Sequence, residues 1–133
     1  LGRKTQCCQN YGITSKILLT TEFKRGDIVL VNFVFTEETG SKRRPVLLLS
    51  SEQYVEGRQE VIVSAITSNT RRLLVGDHLM FDWEAAGLLF PSVTTGIVRT
   101  IKQGMIERKM GEVSPRDLAE IESNLTQIME LTG

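Results

Sequence analysis

Between Lys24 and Met110 the apolar positions fall into short β-branched and aromatic blocks, each stopped by glycine, proline or a polar cluster; after Ser114 the spacing becomes that of a helix. Arg25-Gly26-Asp27 is turn chemistry feeding a first strand over Ile28 to Phe35. Its apolar residues fall on both faces, which predicts a strand covered twice, as in a small closed barrel whose outside is also covered. Thr36 to Arg43 reads as a polar loop, and Val46 to Leu49 with Ser50 and Ser51 as a second strand. Tyr54 to Gln59 turns, and Glu60 to Thr67 is a third strand stopped by Ser68-Asn69-Thr70. His78 to Trp83 alternates weakly as a fourth strand, and Gly87 to Pro91 reads as an irregular bridge. Val93 to Ile101 and Met105 to Met110 read as a pair of strands around Lys102-Gln103-Gly104. Ser114-Pro115-Arg116-Asp117 starts a helix, with Ser capping the N3 amide, Pro preset for N1 and Asp suited to the positive end. Leu118, Ile121, Leu125, Ile128 and Met129 then form one apolar stripe, which predicts a lid on the barrel. The fold class is therefore mainly β, a β-barrel plus a C-terminal helix.

A chain of 133 residues suits one domain. Residues 1–22 carry no sustained period and read as a poorly structured tail outside the fold, leaving residues 23–133 as a single domain. With 41% apolar and 24% charged residues the composition is globular. The apolar runs are far shorter than a membrane span and no secretory pattern is present, so the expected location is the cytoplasm. Cys7 and Cys8 are adjacent, a spacing that fits neither a loop-closing disulfide nor a zinc knuckle; no metal and no other cofactor is expected. Formal charge is zero, which announces no nucleic-acid binder. Basic residues nevertheless cluster at Lys42-Arg43-Arg44, Arg71-Arg72, Arg99 with Lys102, and Arg108-Lys109, whereas the end of the chain is acidic. Two descriptions fit this distribution: a basic face opposite an acidic one, and scattered solvated charge.

Arg44-Pro45 entering a strand is the most informative pair. A guanidinium grips two phosphate oxygens at once, and the following proline holds the arginine backbone extended. Thr67-Ser68-Asn69 leaves the next strand, where hydroxyls serve either as phosphate donors or as turn caps. Taken in order, Gly26-Asp27-Ile28-Val29, Lys42-Arg43-Arg44-Pro45-Val46-Leu47, Ala65-Ile66-Thr67-Ser68-Asn69 and Gly87-Leu88-Leu89 with Pro91-Ser92 resemble the MazF/PemK family of toxin endoribonucleases, from about Lys24 to the C-terminus.

The resemblance implies an SH3-like barrel that dimerises, cuts single-stranded RNA at short sequences without a metal, and is neutralised by a cognate antitoxin peptide laid across the RNA site. Cleavage by the neighbouring 2′-OH leaves a 2′,3′-cyclic phosphate and a 5′-OH, and requires removal of one proton, delivery of another and stabilisation of a phosphorane. By the same resemblance Arg44 is the catalytic arginine, and Thr67 with Ser68 matches the active-site hydroxyl pair. Lys42, Arg43, Asn69, Arg71 and Arg72 are the flanking RNA contacts, with solvated loop charge as the equal alternative for Arg71 and Arg72. Glu37 and Glu38 are the acid/base candidates, or two solvated loop acids. Some relatives carry an arginine and an aspartate on the strand that here holds Thr94, Thr95 and Gly96, and relatives often have a lysine where Phe90 stands, so those roles are not transferred. His78, the only histidine, reads as solvated or structural, and Phe81 and Trp83 as half-buried barrel packing.

Two other function classes share the fold. One is a non-catalytic toxin-fold binding module, either an RNA binder or a gyrase inhibitor. The other is an SH3-like domain whose ligand is a peptide.

Overall fold

Strand β1 (Asp27–Val34) sends Ile28 to one side of the sheet and Val29, Val31 and Phe33 to the other, and both sides are covered. In the computed structural model, which describes residues 23–34 and 41–131, five further strands follow: β2 (Ser41–Leu48), β3 (Glu60–Thr67), β4 (His78–Leu79), β5 (Val93–Lys102) and β6 (Ile106–Glu112). A short helix α1 (Glu52–Val55) lies between β2 and β3, a 3₁₀ turn (Gln103–Met105) links β5 to β6, and α2 (Pro115–Met129) ends the fold. The strands form one antiparallel sheet in the order β4-β5-β3-β2-β1-β6.

One face of the sheet carries Ile28, Leu47 and Ile66, which pack with Met80, Leu88 and Ile121. The opposite face carries Val29, Val31, Val46, Leu48, Val61, Val63 and Ile101, over which Val55 of α1 and Met105 of the 3₁₀ turn pack. That double cover explains why β1 is apolar on both sides. The sheet is rolled around the first cluster until its edges meet. Ala86-Gly87, in the loop after β4, packs backbone to backbone on Met110-Gly111 of β6, and a Cβ on either glycine would collide with the facing carbonyl. Gly87 also has φ +90°, which leaves glycine as the residue that fits. The result is the barrel with a C-terminal helix that the chain's pattern predicts.

Helix α2 closes one side of the barrel. Ser114 accepts a hydrogen bond from the Asp117 amide at 3.2 Å, Pro115 occupies the first turn, and Ile121 is buried in the first cluster with Leu118 and Leu125 against it. Met129, at the end of the stripe, is half exposed. Asp117 does more than complement the helix dipole. Its side chain is fully buried, and it accepts from the Phe81 and Asp82 amides at 2.9 Å each and from Ser114 Oγ at 3.2 Å, while Oδ1 lies 2.7 Å from His78 Nε2. Arg116 beside it forks onto Asp82 at 2.8 and 2.9 Å and lies over the Phe81 ring. His78 is thus structural. Burial pushes the Asp117 carboxyl up, but the hydrogen bonds from His78, Phe81, Asp82 and Ser114 outweigh it and leave the group below its ordinary value. Hydrogen bonding from Arg116 lowers Asp82 to about 2.

Three boundaries and one strand pairing differ from the sequence pattern. Strand β2 begins at Ser41, so Lys42 and Arg43 belong to a strand paired with Phe33 and Asn32 rather than to a loop. Ser51 is not strand but the cap of α1, accepting from the Tyr54 amide at 3.2 Å. Strand β4 stops at Leu79: the Met80 amide still bonds to Ser92 O at 3.0 Å, but the amides after it, Phe81 and Asp82, bond to Asp117 instead of continuing a ladder. Strands β5 and β6 are not paired with each other: β5 lies between β3 and β4, whereas β6 joins β1 at the far edge. The tail read over residues 1–22, and positions 35–40 of the polar loop, lie outside the described residues. Among the described residues no helix is long and apolar enough to cross a membrane.

Asp117→Asn removes the charge from a buried hydrogen-bond hub and is expected to lower stability by about 3 kcal/mol, read as a shifted midpoint in urea unfolding. The depressed Asp82 and Asp117 carboxyls contribute stability that is complete above the unfolded carboxylate value of about 3.8 and is lost as the pH falls toward 2. Thermal unfolding followed from pH 6 to pH 2 should therefore fall along an acid limb, and Asp82→Asn should flatten it; an unchanged limb would contradict the assignment.

Candidate functional site

The second face of the sheet runs past its apolar cluster to a row of different chemistry. Arg44 of β2 is paired with Val31 of β1, and β2 meets β3 through Val46 and Ala65. Arg44 and Thr67 lie beyond that last pair, outside the β2–β3 ladder. The β2–β3 pairing begins at Val46, so Pro45, which has no N–H to give, stands where the ladder to β3 has not started. Its ring also keeps Arg44 extended.

Arg44 opens onto a cavity of about 220 Å³ between β1, β2, β3 and β5. The floor is apolar, made by Pro45, Val46, Val63, Ala65 and Ile66. Phe33 of β1 and Arg99 of β5 complete the lining, with the Arg99 guanidinium 5.1 Å from the centre of the Phe33 ring. Arg99 reaches this place because it is paired with Val63. A bulge between Ser64 and Ile66 shapes the wall, and two bonds across it hold β3 to β5: Thr95 Oγ1 donates to Ala65 O at 2.8 Å, and Ser64 Oγ to Thr95 O at 2.5 Å. Both arginines are exposed, and among the described residues no carboxylate lies within ion-pair distance of either.

None of the other candidate site residues among the described ones lines this cavity. Thr67 follows Ile66 at the end of β3; its Oγ1 accepts from the Asn69 amide at 3.1 Å, and Asn69 Oδ1 accepts from the Arg71 amide at 3.2 Å. Ser68, Asn69, Arg71 and Arg72 are exposed on the loop that follows. Lys42 is exposed opposite Phe33. Arg43 belongs to the other face of β2, where its guanidinium is ion-paired with Glu107 at 2.8 Å. Glu37 and Glu38 lie outside the described residues. Phe90 is exposed on the loop before β5, Thr94 is buried, and Gly96 packs on the backbone of Gly76. Thus the strand that lacks charge at Thr94, Thr95 and Gly96 supplies a cation further along, at Arg99.

Phe33 and Arg99 are the lining residues that the sequence pattern does not single out as a pair. Phe33 belongs to an apolar run and Arg99 to one of several basic clusters, and only the sheet register brings them together. Chemically, the arrangement offers two guanidinium groups, each with five N–H donors, over an apolar floor. It suits a ligand with an anionic group and an apolar body. Among the described residues no three His, Cys, Asp or Glu side chains are grouped to hold a metal ion.

Residues 24–129 match the model of a family described as PemK-like, MazF-like toxins of type II toxin–antitoxin systems. No curated protein is similar enough in sequence to match. Among solved structures, an endoribonuclease in complex with its cognate antitoxin from a mycobacterial species superposes with a TM-score of 0.66 at 20% identity, over 84% of this chain and 98% of that one. A chain of the MazE–MazF structure from Deinococcus radiodurans gives 0.69 at 18% identity, over 83% and 97%. The Mycobacterium tuberculosis toxin MazF-mt6 gives 0.66 at 23% identity, over 80% and 99%. At these identities the superpositions speak for the fold, and the family match spans nearly all of the described chain: this protein belongs to the PemK-like, MazF-like toxins of type II toxin–antitoxin systems.

Proposed function

We propose that this chain is a metal-independent endoribonuclease toxin that cuts single-stranded RNA at a short sequence, by attack of the 2′-OH, leaving a 2′,3′-cyclic phosphate and a 5′-OH. The observation that supports it is the pair of arginines, Arg44 and Arg99, that have no carboxylate partner among the described residues and stand at one cavity on the sheet. Two guanidinium groups fixed there stabilise the added negative charge of a phosphorane without reorganising. Arg44 is assigned the catalytic contact, and Thr67, next in the chain to the lining residue Ile66, the hydroxyl donor to the same phosphate. For that the Thr67 hydroxyl keeps its turn contact through an acceptor lone pair and gives its proton to the phosphate. Lys42, Ser68, Asn69, Arg71 and Arg72, which are exposed, and Arg43 on the neighbouring face, are assigned to flanking RNA, and Glu37 or Glu38 to proton transfer.

The same reading places the protein in the cytoplasm as a single-domain homodimer held by a cognate antitoxin peptide. Solved relatives in complex with an antitoxin support the last point. For dimerisation the support is an apolar surface. Gly76 and Gly96 pack backbone to backbone with Ile128 against both, and the neighbouring Val75, Ile97 and Met129 are 83%, 60% and 50% exposed. Patches of this kind mark protein interfaces.

A second reading, a module of the same fold that holds RNA without cutting it or inhibits gyrase, draws on one observation. Among the described residues no carboxylate or histidine lines the cavity to act as general base.

Incubating the purified chain with single-stranded RNA in EDTA should yield new 5′-OH ends, and Arg44→Ala should slow their formation by about 10²-fold or more. Intact RNA, or cleavage indifferent to Arg44→Ala, would leave the binding-module reading in its place. Arg99→Ala should weaken RNA binding and lower the slope of log affinity against log salt by about one phosphate contact, measured by fluorescence anisotropy across salt concentrations.

A further inference from the structure

A guanidinium lying over an aromatic ring with no carboxylate partner among the described residues occurs twice around one apolar cluster. One is Arg99 over Phe33, at the cavity beside Arg44. The other is Arg58 over Tyr54, 4.7 Å from the ring centre. Tyr54 belongs to α1, whose Val55 packs on the same cluster that Phe33 borders. Arg116 over Phe81 is a different case, because Asp82 neutralises it.

The Arg58 corner is pinned by its backbone. Gly57, with φ +79°, turns the chain after α1; the Arg58 amide then donates to Val55 O at 3.0 Å, and the Arg58 carbonyl accepts from Gln103 Nε2 at 3.0 Å. The Gln103 amide donates to Gln59 O at 2.8 Å. These bonds close the 58–59 turn onto the end of β5, and a cavity of about 320 Å³ lies between Arg58, Gln59, Lys102, Gln103 and Gly104. Lys102 is exposed and meets Glu60 only at 3.6 Å. Along β5 it follows Arg99 by three residues, on the order of 10 Å at the usual rise of a strand. One phosphate group does not span that distance, but a strand of several nucleotides does.

We propose that Arg58, with Lys102 beside it, is a second anchoring point for the backbone of a single-stranded RNA whose scissile phosphate lies at Arg44. The inference rests on the endoribonuclease reading for the identity of the ligand, and goes beyond it by assigning a surface that the cleavage chemistry does not use. Cations and aromatic rings spaced along a surface are a general means of holding single strands. Tyr54 is a positioning residue: its ring keeps the guanidinium in place, so that less side-chain freedom is lost when a phosphate arrives. The consequence is a length requirement. A strand that ends near Arg44 and Arg99 does not reach Arg58, whereas a longer one engages both points.

The test uses labelled 2′-O-methyl RNA strands of about 4 and about 12 nucleotides, within the span that one small domain holds. They lack the attacking hydroxyl and stay intact, and binding to the full chain is followed by fluorescence anisotropy across salt concentrations. Arg58→Ala combined with Lys102→Ala should weaken the longer strand about tenfold and lower its slope of log affinity against log salt by about 1.4, two contacts at about 0.7 each. The shorter strand should bind as before, which also shows that the double variant is folded. Tyr54→Leu keeps both charges, so it should weaken the longer strand by a smaller factor and leave the slope unchanged. Equal losses for both lengths, an unchanged long-strand slope in the double variant, or binding of neither strand by the wild type would overturn the proposal. Mapping the ends of cleavable RNA separates this from the catalytic reading. Long-strand binding that the double variant loses, with no cleavage by the wild type, removes the enzyme and keeps the anchoring point. Cleavage by the wild type, with long-strand binding intact in the double variant, removes the anchoring point and keeps the enzyme.

Discussion

One buried carboxylate holds the ends of this fold together. Asp117 sits in the first turn of α2, and its two oxygens gather the His78 ring, the amides of Phe81 and Asp82, and the Ser114 hydroxyl. A buried charge is tolerated when its lone pairs are filled, and here they are. The geometry of that hub stops β4, directs the chain into the 81–92 loop, and fixes the helix against the barrel. From there Ala86-Gly87 reaches Met110-Gly111, so the two edges of the sheet are joined by backbone packing rather than by a shared ladder. Without the hub, the edge strand of two residues would have little to hold it.

The functional face inherits its rigidity from the opposite side. Because the rolled core fixes β2, β3 and β5, the outward face presents Arg44, Ala65 and Arg99 at defined register positions. Pro45 and the bulge between Ser64 and Ile66 are two local departures from a regular ladder in β2 and β3, and both border the cavity. Each has a stereochemical consequence: the first keeps Arg44 extended, and the second lets Thr95 and Ser64 bond across the strands. A binding site benefits from such support, since side chains on mobile scaffolds forfeit the benefit of preorganisation.

Charge follows the same division of labour. Arg43, Arg25 and Arg116 are neutralised by Glu107, Glu122 and Asp82. Arg44 and Arg99 are not, among the described residues. A chain with no net charge thereby keeps two cations available in one place. A formal total of zero thus conceals a local excess of positive charge.

The chain by itself determined the class of fold, because periods of two and of 3.6 residues are local properties. The apolar faces of β1, the run of β3 and the Ser114-Pro115-Asp117 start of α2 are all legible without partners. Ordered motifs around Arg44-Pro45 and Thr67 likewise made the family readable. Register was not legible, since nothing local says which strand β5 or β6 will join; only closure of the barrel around a shared core sends them to opposite edges. For the same reason Phe33 and Arg99, 66 positions apart, became neighbours only when β1, β2, β3 and β5 were laid side by side. Asp117 and His78 show the limit most plainly: each is an ordinary polar residue in the sequence, and what made them a buried pair was the docking of α2 on β4, a contact that neither segment encodes alone.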